Sequence, residues 1–334
     1  MIAVIGAGAI GCLVAGYLKQ KDEDVVLIGR SDTVEAVKKE GLKIYGVRGD
    51  FDIAITAYQR LFAKPQLVIL ATKTQDIEEA LKTNLDFIQD SLLITTQNGV
   101  QVDKIVAKFL PEKNILSSIV MFGATYLAPA KIMHNFEGSW ILGKPFGGVL
   151  DDKALKVSLM LDKAFPVVIS KDIKGMKYLK VFVNANNCIP AILGVSMQEA
   201  FSDPQISRIS IAIWKEGFDV ISKAGVKLTS LPGFPVENIT KLISLPSLEA
   251  AKIFSGMMTK LSKDPLYGSI LQSIKRGRVS EIDYINGEFV NLAKNNKLSV
   301  PLNAKLVRMV HEVEERKKFF TPEELLNHVK LFLN

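Results

Sequence analysis

The sequence predicts an α/β protein in two parts: a doubly wound, Rossmann-type domain over residues 1–170, then an all-helical domain over residues 171–334. Three observations predict it. Short apolar runs alternate with helix-length amphipathic stretches through the first half, which is the order of βαβ units. A glycine-rich turn follows the first of those runs and opens a helix. After Ser170, strand-like alternation gives way to apolar positions spaced three and four apart, the period of helices that bury one face.

Taken in order, Ile2–Ile5, Val25–Ile28, Leu67–Ala71, Leu92–Thr96 and Ile115–Val120 are unbroken apolar or β-branched runs. Such runs suit strands covered on both faces of a parallel sheet. Gln75–Phe87 has the length and pattern of a crossover helix. Lys131–Phe136, Ser139–Leu142 and Val167–Ser170 read as further strands, the middle ones as an antiparallel extension. In the second half, a helix is expected from near Asp172. Asp203-Pro204 starts another, because proline fits a first turn. Ile206, Ile209, Ile213, Val220 and Ile221 form its buried stripe and Gly225 its end. Leu231–Pro235 is a loop, a helix is predicted across Glu281–Lys294, and Thr321-Pro322-Glu323-Glu324 is a capping box for the last helix.

Composition excludes several functions. The chain has 334 residues, 48% of them hydrophobic, which is material for two cores at roughly 100–200 residues per domain. The net charge is +7, but Lys and Arg are dispersed, with no aromatic-basic stripe. A solvated basic surface that attracts anionic small molecules is the simpler reading than nucleic-acid binding. Apolar runs such as Leu67–Thr72 fall far short of the roughly 20 residues of a membrane span. The N-terminus lacks a basic segment, and its apolar run breaks at Gly6, Gly8 and Gly11. The expectation is a soluble, cytoplasmic protein whose partner is a small molecule, not nucleic acid or membrane. A homodimer through the helical half is compatible with the sequence. Cys12 and Cys188 have no paired spacing, and His134, His311 and His328 are scattered. Neither a disulfide framework nor a metal site is expected.

The cofactor motif is Gly6-Ala7-Gly8-Ala9-Ile10-Gly11. Gly6 permits the tight turn, Gly8 lets the backbone approach a pyrophosphate, and Gly11 lets the helix pack against the sheet. The helix N-terminus then offers N–H groups and partial positive charge to phosphate. At the end of the second strand an acidic residue would bind the ribose of NAD. Here the strand ends Leu27-Ile28-Gly29-Arg30-Ser31, and the acids Asp22, Glu23 and Asp24 precede it. Arg30 can pair with a 2′-phosphate and Ser31 can add a hydroxyl donor, so NADP(H) is the expected cofactor. Lys73 follows the third strand on the same edge, where it can meet that phosphate or be an ordinary loop lysine. Asn98 sits at the next strand end, within reach of nicotinamide or substrate, but Asn98-Gly99 alone is also a turn signal.

In the second half, Lys180, Asn184 and Cys188 are spaced i, i+4, i+8, which puts them on one face of a regular helix. A lysine there can donate a proton to a carbonyl oxygen as hydride arrives, and can stabilise the forming alkoxide. A solvated helix face is the alternative. An acid at Glu281 is often no more than a favourable partner for a helix dipole, and composition singles out neither Ser269 nor Glu281.

These residues nevertheless fall into a pattern. Gly6 to Gly11, Arg30, Thr72-Lys73-Thr74, Gln97-Asn98-Gly99, Lys180 with Asn184, Ser269 and Glu281-Ile282-Asp283-Tyr284-Ile285-Asn286-Gly287, followed by Val300-Pro301-Leu302-Asn303, resemble the ketopantoate reductase (2-dehydropantoate 2-reductase) family over essentially the whole chain. The resemblance implies a 6-phosphogluconate-dehydrogenase-like fold and NADPH-dependent reduction of 2-dehydropantoate to (R)-pantoate, a step towards pantothenate and coenzyme A. It implies that Lys180 is the general acid and that Glu281 engages substrate beside it. It implies that Asn98, Asn184 and Ser269 hold the substrate's carboxylate and hydroxyls, and that Arg30 and Lys73 clasp the 2′-phosphate. There are departures. Cys188, a weakly polar thiol, stands third in the substrate row where the family commonly has Asn, while Asn186 and Asn187 point elsewhere on a regular helix. Tyr178 replaces Trp, and Leu228–Lys263 is longer than in compact members. These departures keep two alternatives open: reduction of another 2-keto or 3-hydroxy acid, and a protein that binds NADP(H) without turnover.

Overall fold

A computed structural model describes residues 1–262 and 264–333. Lys263, the end of the long segment noted above, and Asn334 lie outside the described residues. The chain divides into two compact units, Met1–Lys174 and the remainder from Gly175.

The first unit runs β1 (Ile2–Ile5), α1 (Ala9–Lys19), β2 (Val25–Ile28), α2 (Ser31–Glu40), β3 (Leu42–Gly46), β4 (Phe51–Ile53), β5 (Thr56–Tyr58) and β6 (Leu67–Leu70). A 3-10 turn at Thr74–Asp76 leads into α3 (Ile77–Ile88), then β7 (Leu92–Thr95), α4 (Val102–Val106), β8 (Ile115–Val120), β9 (Gly123–Ala128), β10 (Lys131–Phe136), β11 (Trp140–Gly143), α5 (Asp152–Asp162) and β12 (Val167–Ile169). The main sheet has eight strands in the order β12-β11-β8-β7-β6-β1-β2-β5. Strands β8 through β5 are parallel, and β11 joins β8 antiparallel. The unbroken apolar runs are explained by cover on both faces. Ile2 and Val4 of β1 enter one core with Leu13, Tyr17 and Trp140, whereas Ala3 and Ile5 enter the other with Ile77, Leu81 and Val102.

The second sheet departs from expectation. Lys131–Phe136 does not extend the main sheet; it lies in a separate four-stranded sheet, β4-β3-β10-β9. Of the middle segments only Trp140–Gly143 forms the antiparallel extension. Along β10, Ile132 and His134 are buried while their neighbours are half-exposed, the period of a strand with one covered face. Helix α1 covers that face: a Cβ at Gly16 would lie 2.5 Å from Ile44 Cδ1, and Tyr17 Oη bonds His134 Nδ1 at 3.0 Å.

The second unit contains α6, which starts just before the division (Ile173–Ala185), then α7 (Cys188–Leu193), α8 (Met197–Ala200), α9 (Pro204–Lys223), α10 (Glu237–Ser244), α11 (Ser247–Thr259) and α12 (Ser269–Lys275). A 3-10 turn at Ile282–Tyr284 precedes α13 (Asn286–Asn295), α14 (Pro301–Arg316) and α15 (Pro322–Val329). Helix α9 organises the unit, with α10, α11, α13, α14 and α15 packed on it. Asp203 caps it by accepting from the Gln205 amide at 2.7 Å, and Ile206, Ile209, Ile213, Val220 and Ile221 are buried. Glu216 of α9 accepts from the Leu302 and Asn303 amides at 2.9 and 2.8 Å, which satisfies the first turn of α14. The Thr321 capping box is present.

Two helices differ from expectation. Glu281–Lys294 is not continuous: the 3-10 turn ends at Ile285 (φ −120°, ψ −90°) and α13 begins at Asn286. The lysine helix stops at Ala185, and α7 starts at Cys188 after a turn through Asn186 and Asn187. Pro190 accounts for this break, because it has no N–H to give and its ring clashes with the carbonyl four residues earlier, that of Asn186. The turn closes through tighter bonds, Asn187 N to Asn184 O at 2.9 Å and Ile189 N to Asn186 O at 3.2 Å.

Candidate active site

In the first unit the parallel register sets the candidate cofactor edge. Ile5 is level with Ile28 and Leu70, and Leu70 with Thr95, so the turns after β1, β2, β6 and β7 leave the sheet together. Gly6 has φ +113°, and a Cβ there would be driven into the Thr72 amide. A Cβ at Gly11 would collide with the Gly6 carbonyl oxygen, whereas one at Gly8 meets nothing within 4 Å. Ala7, Ala9 and Ile10 complete a turn that is closed against the sheet and open at Gly8. Helix α1 has no acidic residue in its first turn, so its N-terminal partial charge stays available to an anion. The Thr72 hydroxyl oxygen is buried at this edge with no hydrogen-bond partner among the described residues. Gly29 also belongs to the cradle: a Cβ there would come 2.5 Å from that of Ala7. Sequence reasoning passed over it, although a glycine directly after the second strand was its signal.

Arg30 precedes α2, with its side chain 64% exposed, and Ser31 is the exposed first residue of that helix. Lys73 is half-buried ahead of the 3-10 turn, where its carbonyl accepts from the Asp76 amide at 2.9 Å. The structure brings these two loops together, because Arg30 Nη2 pairs with Asp76 Oδ2 at 3.5 Å. The carboxylate beside the arginine therefore comes from another loop. No local signal at β2 could have revealed it.

Asn98 is half-buried, and its loop is held from both sides. Gln97 Nε2 donates to the Leu70 and Thr72 carbonyls at 2.9 and 3.0 Å. Buried Asp103 accepts from Thr95 Oγ1 and Ser117 Oγ, both at 2.7 Å. These two supports were missed too. Their partners are spread over three separate segments.

In the second unit Lys180 and Asn184 stand one turn apart on α6, both half-buried. Burial lowers the Lys180 ammonium to about 8, so this group can give up a proton near neutral pH. Cys188 does not continue their row. It lies beyond the break, is 0% exposed, and burial pushes its thiol up to about 12 while Asn286 bonds it. The expected i, i+8 alignment assumed an uninterrupted helix, which Pro190 prevents. A thiol so strongly protonated is also a poor nucleophile.

Ser269 begins α12, which packs on α7. Its neighbour Gly268 touches the turn, since a Cβ there would lie 3.2 Å from the Asn187 side chain. Asn187, set aside on the regular-helix reading, is thus beside the Ser269 segment. Asn186 is buried, and neither of its amide atoms has a partner among the described residues. Glu281 is 5% exposed at the head of the 3-10 turn. Among the described residues no cluster of three or more His, Cys, Asp or Glu could hold a metal ion, and no helix is long and apolar enough to cross a membrane.

Residues 2–146 match the family described as ketopantoate reductase PanE/ApbA, and residues 172–314 match its C-terminal counterpart. A 2-dehydropantoate 2-reductase of Pyrococcus horikoshii is 31% identical over 317 residues, which is 94% of this chain and 97% of that relative. The Pyrococcus abyssi protein of the same name is 30% identical, covering 90% and 94%. Among solved structures, D-mandelate dehydrogenase with NADH and anilino(oxo)acetate superposes with a TM-score of 0.80 at 24% identity, covering 95% of this chain and 99% of that one. A PanE/ApbA family ketopantoate reductase from Ralstonia eutropha gives 0.79 at 21%, with the same coverage. With both halves matched and the Pyrococcus horikoshii enzyme aligned almost end to end, the chain belongs to the ketopantoate reductase PanE/ApbA family and is an oxidoreductase of that family.

Proposed function

We propose that this chain reduces 2-dehydropantoate to (R)-pantoate with NADPH. The observation that carries the reading is Lys180, a half-buried ammonium brought down to about 8 by desolvation, one turn from Asn184. The name borne by the Pyrococcus relatives supports the choice of substrate.

The first unit's residues fit the cofactor: a glycine turn open at Gly8, an unpartnered Thr72 hydroxyl oxygen and cations at the strand edge. The Gly6–Gly11 turn and the start of α1 would hold the pyrophosphate. Arg30, Ser31 and Lys73 would hold the 2′-phosphate, and Asn98 would reach the nicotinamide or the substrate. NADPH, when bound, supplies the hydride that adds to the carbonyl carbon. Lys180 donates its proton to the carbonyl oxygen, and its charge stabilises the alkoxide as it forms. The lysine, left neutral, takes a proton back from solvent. Asn184 and Ser269 orient the substrate's carboxylate and hydroxyl, and Glu281 holds substrate and lysine in register.

The test is turnover: protein, NADPH and ketopantoate, with the loss of reduced-nicotinamide absorbance followed over time. Turnover of ketopantoate is the expected result. A folded preparation that binds NADPH and leaves ketopantoate unreduced would remove the assignment. A second reading, reduction of a different 2-keto acid, is favoured by Cys188 being sealed away where an amide is usual, and by the likeness to D-mandelate dehydrogenase. A panel of keto acids compared by kcat/KM separates the two.

A further inference from the structure

We infer that His311 is a positioning residue for Glu281, fixing from α14 the segment that carries this carboxylate. The inference rests on the proposed role of Glu281. That segment is irregular where it carries Glu281: Gly277 to Ser280 run without helix or strand, and a single 3-10 turn separates Glu281 from α13. Two links from one turn of α14 tie it down. Glu314 Oε1 accepts from the Ser280 amide at 2.7 Å, just ahead of Glu281. His311 Nε2 meets Asp283 Oδ1 at 3.1 Å, two residues beyond it. His311 Nδ1 meets the other Glu314 oxygen at 3.1 Å and so joins the two links into one.

The chemistry requires a charged ring. Both imidazole nitrogens face carboxylate oxygens, and a neutral ring would turn one lone pair against an anion. With both protons present, each contact is a charge-assisted bond. The groups facing the ring are Asp283 from the 3-10 turn and Glu314 from α14. Their bonds raise its pKa to about 10, which keeps the clamp charged throughout the neutral range. The ring is only partly exposed and Glu314 is almost buried, so the His311–Glu314 side of the network is sheltered while Asp283 stands at its exposed end. Asp283 and Glu314 are each fixed by the ring, and Glu281 lies between the two points so fixed.

The test compares wild type, Glu281→Gln, His311→Gln and the double variant, each with NADPH and ketopantoate, together with hydrogen exchange of the Gly277–Asp283 amides. His311→Gln is expected to lower kcat/KM for ketopantoate by about tenfold, the size of a lost coupled contact, with NADPH affinity unchanged and exchange faster. In the Glu281→Gln background the same change should have almost no further effect. His311→Lys, which returns a cation to the two carboxylates, should recover part of the loss. Asp283→Asn breaks the clamp from its exposed end and should behave like His311→Gln if that variant folds poorly. Losses that multiply in the double variant would mark a merely structural role and overturn the inference, as would unchanged exchange in both His311→Gln and Asp283→Asn. Full activity in Glu281→Gln would instead overturn the role given to Glu281, and His311 would lose its proposed purpose with it.

Discussion

The strand edge of the first unit and the helices of the second hold the groups proposed to act by opposite means. At the edge the main chain does the work: Gly6, Gly11 and Gly29 leave side-chain space empty so that loops can close on one another. In the helical unit the side chains do it: Lys180 and Asn184 project from one helix, and Ser269 and Glu281 are carried by segments anchored elsewhere. The difference teaches where each region is vulnerable. The edge fails when one atom is added, the helical site when one head group is removed.

The sharpest contrast comes from removal. Lys180→Ala should lower kcat by about 10²–10⁴-fold, the usual worth of a positioned general acid, while NADPH still binds. Equal loss of NADPH binding, read by fluorescence titration, would break the comparison. Addition comes next. Gly6→Ala puts a side chain into the Thr72 amide at φ +113°, a conformation that costs a non-glycine residue about 1–3 kcal/mol. The melting temperature and cofactor binding should both fall. Gly8→Ala has room in the protein, so it should melt like wild type and lose cofactor affinity only.

Smaller effects sharpen the account of the edge. Arg30→Ala should weaken NADPH by roughly tenfold to a hundredfold, the worth of charged hydrogen bonds of about 1.5–3 kcal/mol, and leave NADH nearly unchanged. Asp76 holds the Arg30 guanidinium at 3.5 Å, so Asp76→Asn should tighten NADPH by a few fold. Isothermal titration with both cofactors reads all four values. The smallest effects are on stability against pH, with one histidine in each unit. Burial holds His134 below its ordinary 6.5; the unfolded chain therefore binds the proton more readily, and stability declines as pH falls below about 6.5. His311, raised to about 10 by its two carboxylates, acts in the other sense. Its contribution is complete below the unfolded value and is lost as pH rises towards 10. His134→Gln should flatten the acid limb of a melting-temperature profile and His311→Gln the alkaline limb.

The same contrast explains what the sequence could reveal. The glycine turn and the apolar strands were legible because their constraints are local: a backbone that needs glycine, a strand buried on both faces. Helix α9 and the Thr321 capping box were legible for the same reason. The second sheet was not, because β3 and β9 lack an unbroken apolar run, β4 has only three residues, and the helix that covers β3 and β9, α1, is distant from them in the chain. The Arg30–Asp76 contact spans 46 residues, and neither end announces the other. In the helical unit, Ser269 and Glu281 came from family resemblance alone, since no periodicity marks them. The break at Asn186 was within reach, as Pro190 acts on the residue four before it. Overlooking it placed Cys188 on a face it does not occupy and set aside Asn187, which neighbours the Ser269 segment.

The central claim is that Lys180 delivers the proton of reduction from an ammonium poised near neutrality. It is tested most directly by the pH dependence of kcat for ketopantoate reduction with saturating NADPH. Reduction needs the protonated form, so the rate should be level below about 8 and decline above it, and the limb should vanish in the residual activity of Lys180→Ala. A rate that stays flat well beyond pH 8, or a Lys180→Ala enzyme that keeps both the wild-type rate and its alkaline limb, would contradict the account.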